Sequence, residues 1–212
     1  MSSVRRIPAP TLERLAAYLT CLREMQEEGV AKVSSEALGK RAGNNAAQVR
    51  KDLSHLGQFG KPGVGYEVGP LRDRIVRALG LSGGHKVLLV GAGSLGRALA
   101  RYQGFRREGF EICALFDNDP QKVGHKVGGL EVFPVEEIAT RNRELRAAIG
   151  IIAAPGPAAQ AIAGALVEAG VTCILNFAPV RLRVAKHVAV RAVDLSRELA
   201  VLSHWLSRRG RE

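Results

Sequence analysis

The chain has 212 residues and is 46% hydrophobic, enough to build one large core or two small ones rather than remain disordered. Its 31 basic and 20 acidic residues give a net charge of +11, which favours a polyanionic partner such as nucleic acid or an anionic membrane surface. The apolar runs fall far short of the roughly 20 residues of a membrane-spanning helix, which excludes a transmembrane protein. The three cysteines form no CxxC pair, so neither a disulfide framework nor a zinc site is indicated. We therefore expect a cytoplasmic location.

Helical periodicity dominates the first part of the chain. Leucines at helical spacing predict a first helix that ends near Gly29. A second helix is capped by Ser34 or Ser35 and has Ala37 and Leu38 on its buried side. Gly43 then supplies the tight turn of a helix-turn-helix.

The third helix has the composition of a DNA-recognition helix. Asn45 and Gln48 resemble a capping pair, and Val49 and Leu53 fall on an inward face. The opposite face combines a small residue with donors suited to bases and phosphates. A glycine-rich stretch over 57–68 follows, in which Val64, Tyr66 and Val68 alternate as strand residues do. We interpret it as a β-hairpin wing whose Lys61 reaches a phosphate or the minor groove. The predicted DNA contacts are Asn45, Ala47, Gln48, Arg50, Lys51, Ser54 and Lys61.

Short β-rich runs alternate with helical segments after the flexible run at 80–84, which is typical of a parallel α/β sheet. We therefore predict a winged-helix domain over 1–80, a Rossmann domain over 81–190 and a dimerisation helix over 191–212. In the last segment, Leu195, Leu199, Leu202 and Leu206 form an apolar stripe behind an Asp194 N-cap. The spacing does not decide whether this helix packs on its own chain or on a second subunit.

A dinucleotide-binding motif follows the first predicted strand of the second domain. The motif comprises Gly91, Ala92, Gly93, Ser94, Leu95 and Gly96. Its glycines permit the tight turn, the approach of a pyrophosphate and close helix packing. The next strand, 110–116, ends at Asp117, where a carboxylate binds ribose hydroxyls and repels a 2′-phosphate, so NAD(H) is expected rather than its phosphorylated form.

Two further strands, 147–153 and 172–177, end in turns that we expect to border the ribose and nicotinamide. These turns contain Ala153, Ala154, Pro155, Asn176, Phe177 and Ala178. Only about 20 residues remain beyond the minimal fold, which leaves no room for a catalytic domain, and the five histidines are dispersed. We expect a sensor without catalytic or metal-ligating residues.

Several segments are distinctive in combination: Val33 to Glu36, Ala46 to Ser54, Gly63 to Tyr66, Gly91 to Gly93 and Ile174 to Pro179. Together they resemble the bacterial redox-sensing repressors of the Rex family. The resemblance implies a homodimer with a swapped last helix that binds a palindromic operator and leaves it when NADH accumulates. It also implies domain-coupling roles for Tyr102 and Asp194. This chain departs from relatives at Pro62 and Thr20, where arginines are frequent.

Two alternatives are compatible with the motifs. The intact dinucleotide loop also fits a small NAD-dependent oxidoreductase with a basic accessory domain. Related Rossmann modules use the same loop for other nucleotide-bearing ligands such as coenzyme A, although Asp117 argues against that ligand. The direction of the redox response follows from the resemblance alone, because both cofactor forms share the parts that the motif reads.

Overall fold

The chain folds into two compact units, Met1–Gly83 and Gly84–Glu212. The computed structural model describes residues 7–57 and 65–209, with the backbone alone at 207–209. One apolar cluster fills the first unit, and two clusters occupy the second.

Helices dominate the first unit. Its described elements are α1 (Ala9–Glu27), β1 (Lys32–Val33), α2 (Ser35–Arg41), α3 (Ala46–Ser54), β2 (Tyr66–Glu67) and α4 (Val68–Ala78). β1 and β2 pair in an antiparallel manner.

The predicted helix-turn-helix is confirmed in α2 and α3. Ser34 caps α2, since its hydroxyl accepts a hydrogen bond from the backbone N–H of Ala37 at 3.0 Å. Gly43 adopts a φ of +69° in the turn, a conformation that side chains with a Cβ rarely adopt. The expectation that Ala37 begins the buried face is wrong: Ala37 is exposed, and burial begins at Leu38.

The hairpin predicted over 57–68 is only partly described. Residues 58–64, and with them Lys61, lie outside the described residues. Tyr66 pairs with Val33 of β1, so the strand belongs to a sheet with a segment that precedes α2. Val68 was expected to continue the strand but begins α4, because Val68, Leu71 and Ile75 recur at helical spacing and all enter the core.

A buried carboxylate joins α3 to α1. Asp52 is 1% exposed, and Arg14 donates hydrogen bonds to both of its carboxylate oxygens, with Nε at 2.6 Å from Oδ2 and Nη2 at 2.7 Å from Oδ1. Thr11 and Tyr18 donate their hydroxyl hydrogens to the same group at 3.2 and 3.0 Å. These three donors lie on one face of α1, so the carboxylate fixes the position of α3 against that helix.

The protonation of this carboxylate is shifted by its surroundings. Burial by itself raises the pKa of Asp52, but hydrogen bonds from Arg14, Gln48 and Tyr18 outweigh burial and hold the pKa below its ordinary value. Burial and the bond to Asp52 raise the pKa of Tyr18 to about 12. The network is therefore ionised at Asp52 and neutral at Tyr18 over the ordinary pH range.

The second unit is a helix-flanked, mostly parallel sheet. Its elements are β3 (His85–Val90), α5 (Ser94–Arg101), α6 (Gly104–Arg107), β4 (Phe110–Asp117), β5 (Lys126–Val127), β6 (Leu130–Pro134), α7 (Ile138–Leu145), β7 (Ile149–Ile152), α8 (Gly156–Glu168), β8 (Cys173–Asn176), β9 (Ala189–Ala192) and α9 (Leu195–Arg209). Within 84–209 the strand order is β5-β6-β4-β3-β7-β8-β9, and β5 alone runs antiparallel to its neighbour. This order confirms the predicted Rossmann-like sheet and places its reversal between β3 and β7.

The last helix, α9, carries its apolar stripe on an exposed face. Asp194 caps it, since its Oδ1 accepts hydrogen bonds from the N–H groups of Ser196 and Arg197 at 3.0 and 3.2 Å. The leucines of the stripe and Trp205 are each more than half exposed, from 57% at Leu202 to 72% at Leu206. An apolar face of this length is typical of an interaction surface.

Removal of the buried carboxylate should destabilise the first unit. We expect Asp52→Ala to lower the free energy of unfolding by about 3 kcal/mol, the low end for a broken buried pair, because Arg14 keeps access to water. The depressed pKa implies that this stabilisation is complete above the unfolded-state value of about 3.9 and is lost as the pH falls through the lower folded-state value. Urea unfolding from pH 7 to pH 2 measures both effects.

The matched control is Arg41→Ala, which removes the partner of Glu24 and Glu28 on the exposed surface of the same unit. Its cost should stay below about 1 kcal/mol. The role given to Asp52 would be contradicted if the two variants lost equal free energies of unfolding. It would also be contradicted if the loss of stability at acid pH were the same in Asp52→Ala as in the wild type.

Candidate nucleotide cleft and recognition helix

The glycine loop between β3 and α5 is shaped by close backbone contacts. Gly91 has a φ of +107°, and a Cβ there would lie 2.5 Å from the carbonyl oxygen of Ala153. A Cβ at Gly96 would lie 1.7 Å from the carbonyl oxygen of Gly91. Both positions therefore require glycine, the first for the turn against β7 and the second for the packing of α5 on the loop.

The middle glycine of the loop differs from these two. A Cβ added at Gly93 would meet no atom within 4 Å, so the protein itself does not require glycine there. Gly93 is the N-cap of α5 and has no side chain to cap the helix, so the positive end of α5 faces outward beside an open space. This combination is what a phosphate group at a helix N-terminus needs.

Asp117, at the end of β4, holds the loop in place. Its carboxylate is 6% exposed; Oδ2 accepts a hydrogen bond from the N–H of Ala92 at 2.6 Å, and Oδ1 accepts one from the N–H of Asp119 at 2.9 Å. A carboxylate with further acceptor capacity thus lies beside the glycine loop, as ribose recognition requires.

Sequence reasoning missed Lys122, which lies at the same end of the cleft. Its Nζ is 3.4 Å from Oδ1 of Asp117 and 3.2 Å from Oδ2 of Asp119. The hydrogen bond to Asp119 raises the pKa of Lys122, so the ammonium stays charged. No local pattern in the sequence marks Lys122, because it reaches Asp117 only through the fold of the turn that follows β4.

These elements border a cleft of about 700 Å³ at the reversal point of the sheet. Among the predicted cofactor residues, its lining includes Gly91, Gly93, Asp117, Ala153, Ala154 and Pro155. The opposite wall is formed by α7 and by the small side chains of α8, such as Ala158, Ala161 and Ala165. Its dimensions and its polar end suit an adenosine group.

The remaining predicted cofactor residues lie elsewhere. Ala92 and Gly96 are buried behind the cleft, while Ser94 and Leu95 are exposed on the first turn of α5. Asn176 is 1% exposed: its amide nitrogen donates to the carbonyls of Ala178 and Val180, and its oxygen accepts from the N–H of Ala178. Its side chain therefore organises the turn that also carries Phe177.

The predicted DNA contacts within the described residues lie on or just before α3. Asn45, Ala47, Arg50, Lys51 and Ser54 are exposed. Asn45 caps the helix through a 2.8 Å bond from the N–H of Gln48, which confirms the forward half of the predicted capping pair. The side-chain amide of Gln48 is turned towards the other end of the helix, and its Nε2 donates to Asp52 at 2.9 Å.

The two predicted coupling residues are both exposed in the second unit. Tyr102 directly follows α5, is 60% exposed and contacts the ring of Phe105 edge to face at 5.1 Å. Asp194 caps α9, as described above. Both side chains are thus accessible to a partner.

Residues 7–57 and 65–209 contain no cluster of three or more histidine, cysteine, aspartate or glutamate side chains able to hold a metal ion. Within the same ranges, none of the helices is both long enough and apolar enough to cross a membrane.

Comparison with known proteins divides the chain at the same place as the fold. Residues 6–54 match the family described as "Putative DNA-binding protein N-terminus", and residues 84–180 match the family described as "CoA binding domain". The redox-sensing transcriptional repressor Rex of Desulfitobacterium hafniense is 47% identical over 198 residues, which cover 93% of this chain and 94% of the relative.

Solved structures of RSP, a Rex-family repressor, resemble the whole chain. The complex of RSP with β-NADH has a TM-score of 0.86 at 33% identity, covering 96% of each chain. The complex with β-NAD⁺ and operator DNA has a TM-score of 0.90 at 34% identity, covering 97% of this chain and 94% of RSP. With identity at this level over nearly the full length, the chain belongs to the Rex family of redox-sensing transcriptional repressors.

Proposed function

We propose that this protein is a cytoplasmic transcriptional repressor that binds a palindromic operator as a homodimer and leaves it when NADH occupies the cleft of the second unit. The observation that carries the proposal is the full-length likeness to RSP, which has been crystallised with NADH and also with NAD⁺ and operator DNA. In this chain an exposed basic helix and a nucleotide-shaped cleft occur in separate units, as a ligand-controlled DNA reader requires.

The cleft fits a dinucleotide. Gly93 leaves room for a pyrophosphate at the N-terminus of α5, and Asp117 lies where the hydroxyls of an adenosine ribose would be held. Lys122 is paired with Asp117 and Asp119, so this end of the cleft keeps an excess of negative charge that disfavours an additional phosphate on the ribose. NAD(H) therefore fits better than its phosphorylated form or coenzyme A.

The DNA-binding face is α3. Arg50 and Lys51 are exposed on it and supply positive charge for phosphates, while Ala47 permits close approach to the floor of the major groove. In this proposal the N-terminus of α3, with its positive partial charge and the Asn45 cap, faces the DNA, as the N-terminus of a recognition helix does.

A second copy of the chain is the partner of α9. Packing against another subunit would bury the exposed leucine stripe, and a palindromic operator has the two-fold symmetry of a dimer. In this proposal the swapped α9 brings Asp194 and Tyr102 into the contact between subunits, where they couple cofactor binding to the arrangement of the two DNA readers.

The mechanism is a population shift. NADH binds the DNA-incompetent arrangement of the dimer more tightly than the competent one, because a ligand with equal affinity for both would shift nothing. NADH then acts as a signal and not as a reagent. The alternative of a small oxidoreductase is not favoured, since the relatives that match over the full length are named transcriptional repressors.

Operator release should follow the cofactor. We expect the operator duplex crystallised with RSP to bind the free protein and the NAD⁺-bound protein, and to dissociate as the NADH/NAD⁺ ratio rises at constant total cofactor. Gel-shift or fluorescence-anisotropy titration measures the affinity. A duplex with one half-site should bind far more weakly, because it engages one subunit of the dimer.

Equal operator affinity at all ratios would contradict the sensor function. Release by coenzyme A at the concentrations that suffice for NADH would instead assign the cleft to that ligand. Oxidation of NADH by hydroxy-acid or alcohol-dehydrogenase substrates would restore the enzyme alternative.

The open space at Gly93 gives a second prediction. Gly93→Ala should fold normally, because the new methyl group meets no atom of the protein, but should weaken NADH binding on the order of tenfold or more by holding the pyrophosphate away from the backbone N–H groups. Isothermal titration calorimetry measures the affinity. Operator binding without cofactor should be unchanged.

The matched control is Gly164→Ala on α8. A methyl group there also meets no atom within 4 Å, and Gly164 does not line the cleft. Its NADH affinity should equal that of the wild type. Unchanged affinity in Gly93→Ala would show that the pyrophosphate does not pass over the glycine loop.

A further inference from the structure

Gln48 is held in an unusual way for a residue on an exposed helix face. Its backbone N–H is bonded to the Asn45 side chain at 2.8 Å, and its side-chain Nε2 donates to the buried carboxylate of Asp52 at 2.9 Å. A glutamine at a surface normally samples several rotamers, and ordering such a side chain has an entropic cost. Here the backbone and the amide of one residue are both fixed.

The bond from Gln48 to Asp52 does not serve the packing of α3 on α1. Asp52 already receives donors from Arg14, Thr11 and Tyr18, all of which belong to α1. Gln48 lies four residues before Asp52 on α3 itself, so its bond joins two positions of one helix. What this bond determines is the direction of the Gln48 amide.

An amide with one N–H committed to Asp52 keeps one N–H donor and its carbonyl oxygen. That pair matches the N7 acceptor and the N6 donor that adenine presents in the major groove, a pairing that glutamine makes with both atoms at once. Gln48 is half-buried on α3, where the helical spacing places it between exposed Lys51 and buried Asp52. It therefore lies at the border of the exposed face that the proposed function assigns to DNA.

We propose that Asp52 is a positioning residue for base recognition: it orients the amide of Gln48 so that this residue reads an adenine in each half-site of the operator. The proposal rests on the DNA-binding function proposed above. Arg14 contributes to this positioning, because its two hydrogen bonds from α1 fix the carboxylate of Asp52. Discrimination of one base pair thereby depends on the ion pair between half-buried Arg14 and buried Asp52.

Symmetric base-pair replacement in the operator duplex crystallised with RSP tests this assignment. In the wild-type protein, exchange of one A·T pair for G·C should weaken binding by roughly 5- to 150-fold per half-site, the range of a bidentate contact. Gln48→Ala and Asp52→Ala should both lose that discrimination at the same pair and keep it elsewhere. The double variant should lose no more than either single variant, since the residues act as a unit.

Two controls separate positioning from folding and from charge. Leu22→Ala creates a cavity in the core of the same unit and lowers stability without touching Gln48, so its discrimination should stay at the wild-type value. Lys51→Ala should weaken binding to every duplex alike and reduce its salt dependence, as loss of a phosphate contact does. Loss of the same base-pair discrimination in Leu22→Ala would overturn the proposal, because destabilisation alone would then explain the effect.

A measurement on the wild-type protein covers the case in which Asp52→Ala does not fold. The side-chain amide of Gln48 should have an NMR order parameter near that of rigid backbone, about 0.85, while the exposed Gln121 should fall below about 0.6. Equal mobility of the two amides would overturn the proposal, as would an Asp52→Ala variant that keeps full discrimination. Failure of the wild-type protein to bind the duplex at all would instead refute the proposed function.

Discussion

A buried carboxylate must be supplied with hydrogen-bond donors, and in each unit of this chain that requirement shapes the surface that we propose as the ligand-binding surface. Asp52 takes its donors from α1 and from Gln48, and so fixes α3, the proposed recognition helix, and one of its side chains. Asp117 takes its donors from the N–H groups of Ala92 and Asp119, and so fixes the glycine loop against the end of β4. The two proposed ligand-binding surfaces are thus held by groups of the same chemistry.

Residues with local signals could be predicted from the sequence. We anticipated the caps Ser34, Asn45 and Asp194 and the turn at Gly43, because each depends on contacts within a few residues. The strand that ends at Asp117 was anticipated from its β-rich run of residues. The exposed face of α3 and the glycine loop were found in the same way. The parallel arrangement of the main strands followed from the alternation of strands and helices.

Features that depend on distant partners could not be predicted. The role of Asp52 requires donors from α1, which lies more than thirty residues away in the chain, and a lone aspartate on a helix gives no sign of burial. Val68 was assigned to a strand because it continues the alternation of Val64 and Tyr66, whereas its burial in the core with Leu71 and Ile75 is helical. The strand β5 is only two residues long, and β9 is largely exposed, so neither shows a buried periodic pattern. Lys122 reaches the cleft only because its loop folds back.

The central claim is that NADH and operator DNA compete through the arrangement of the protein, and such coupling is reciprocal. The most direct test measures NADH affinity by calorimetry for the free wild-type protein and for the protein saturated with the operator duplex crystallised with RSP. The account predicts that the operator weakens NADH binding by the same factor by which NADH weakens operator binding. Equal NADH affinity in the two states, or tighter binding in the presence of DNA, would contradict it.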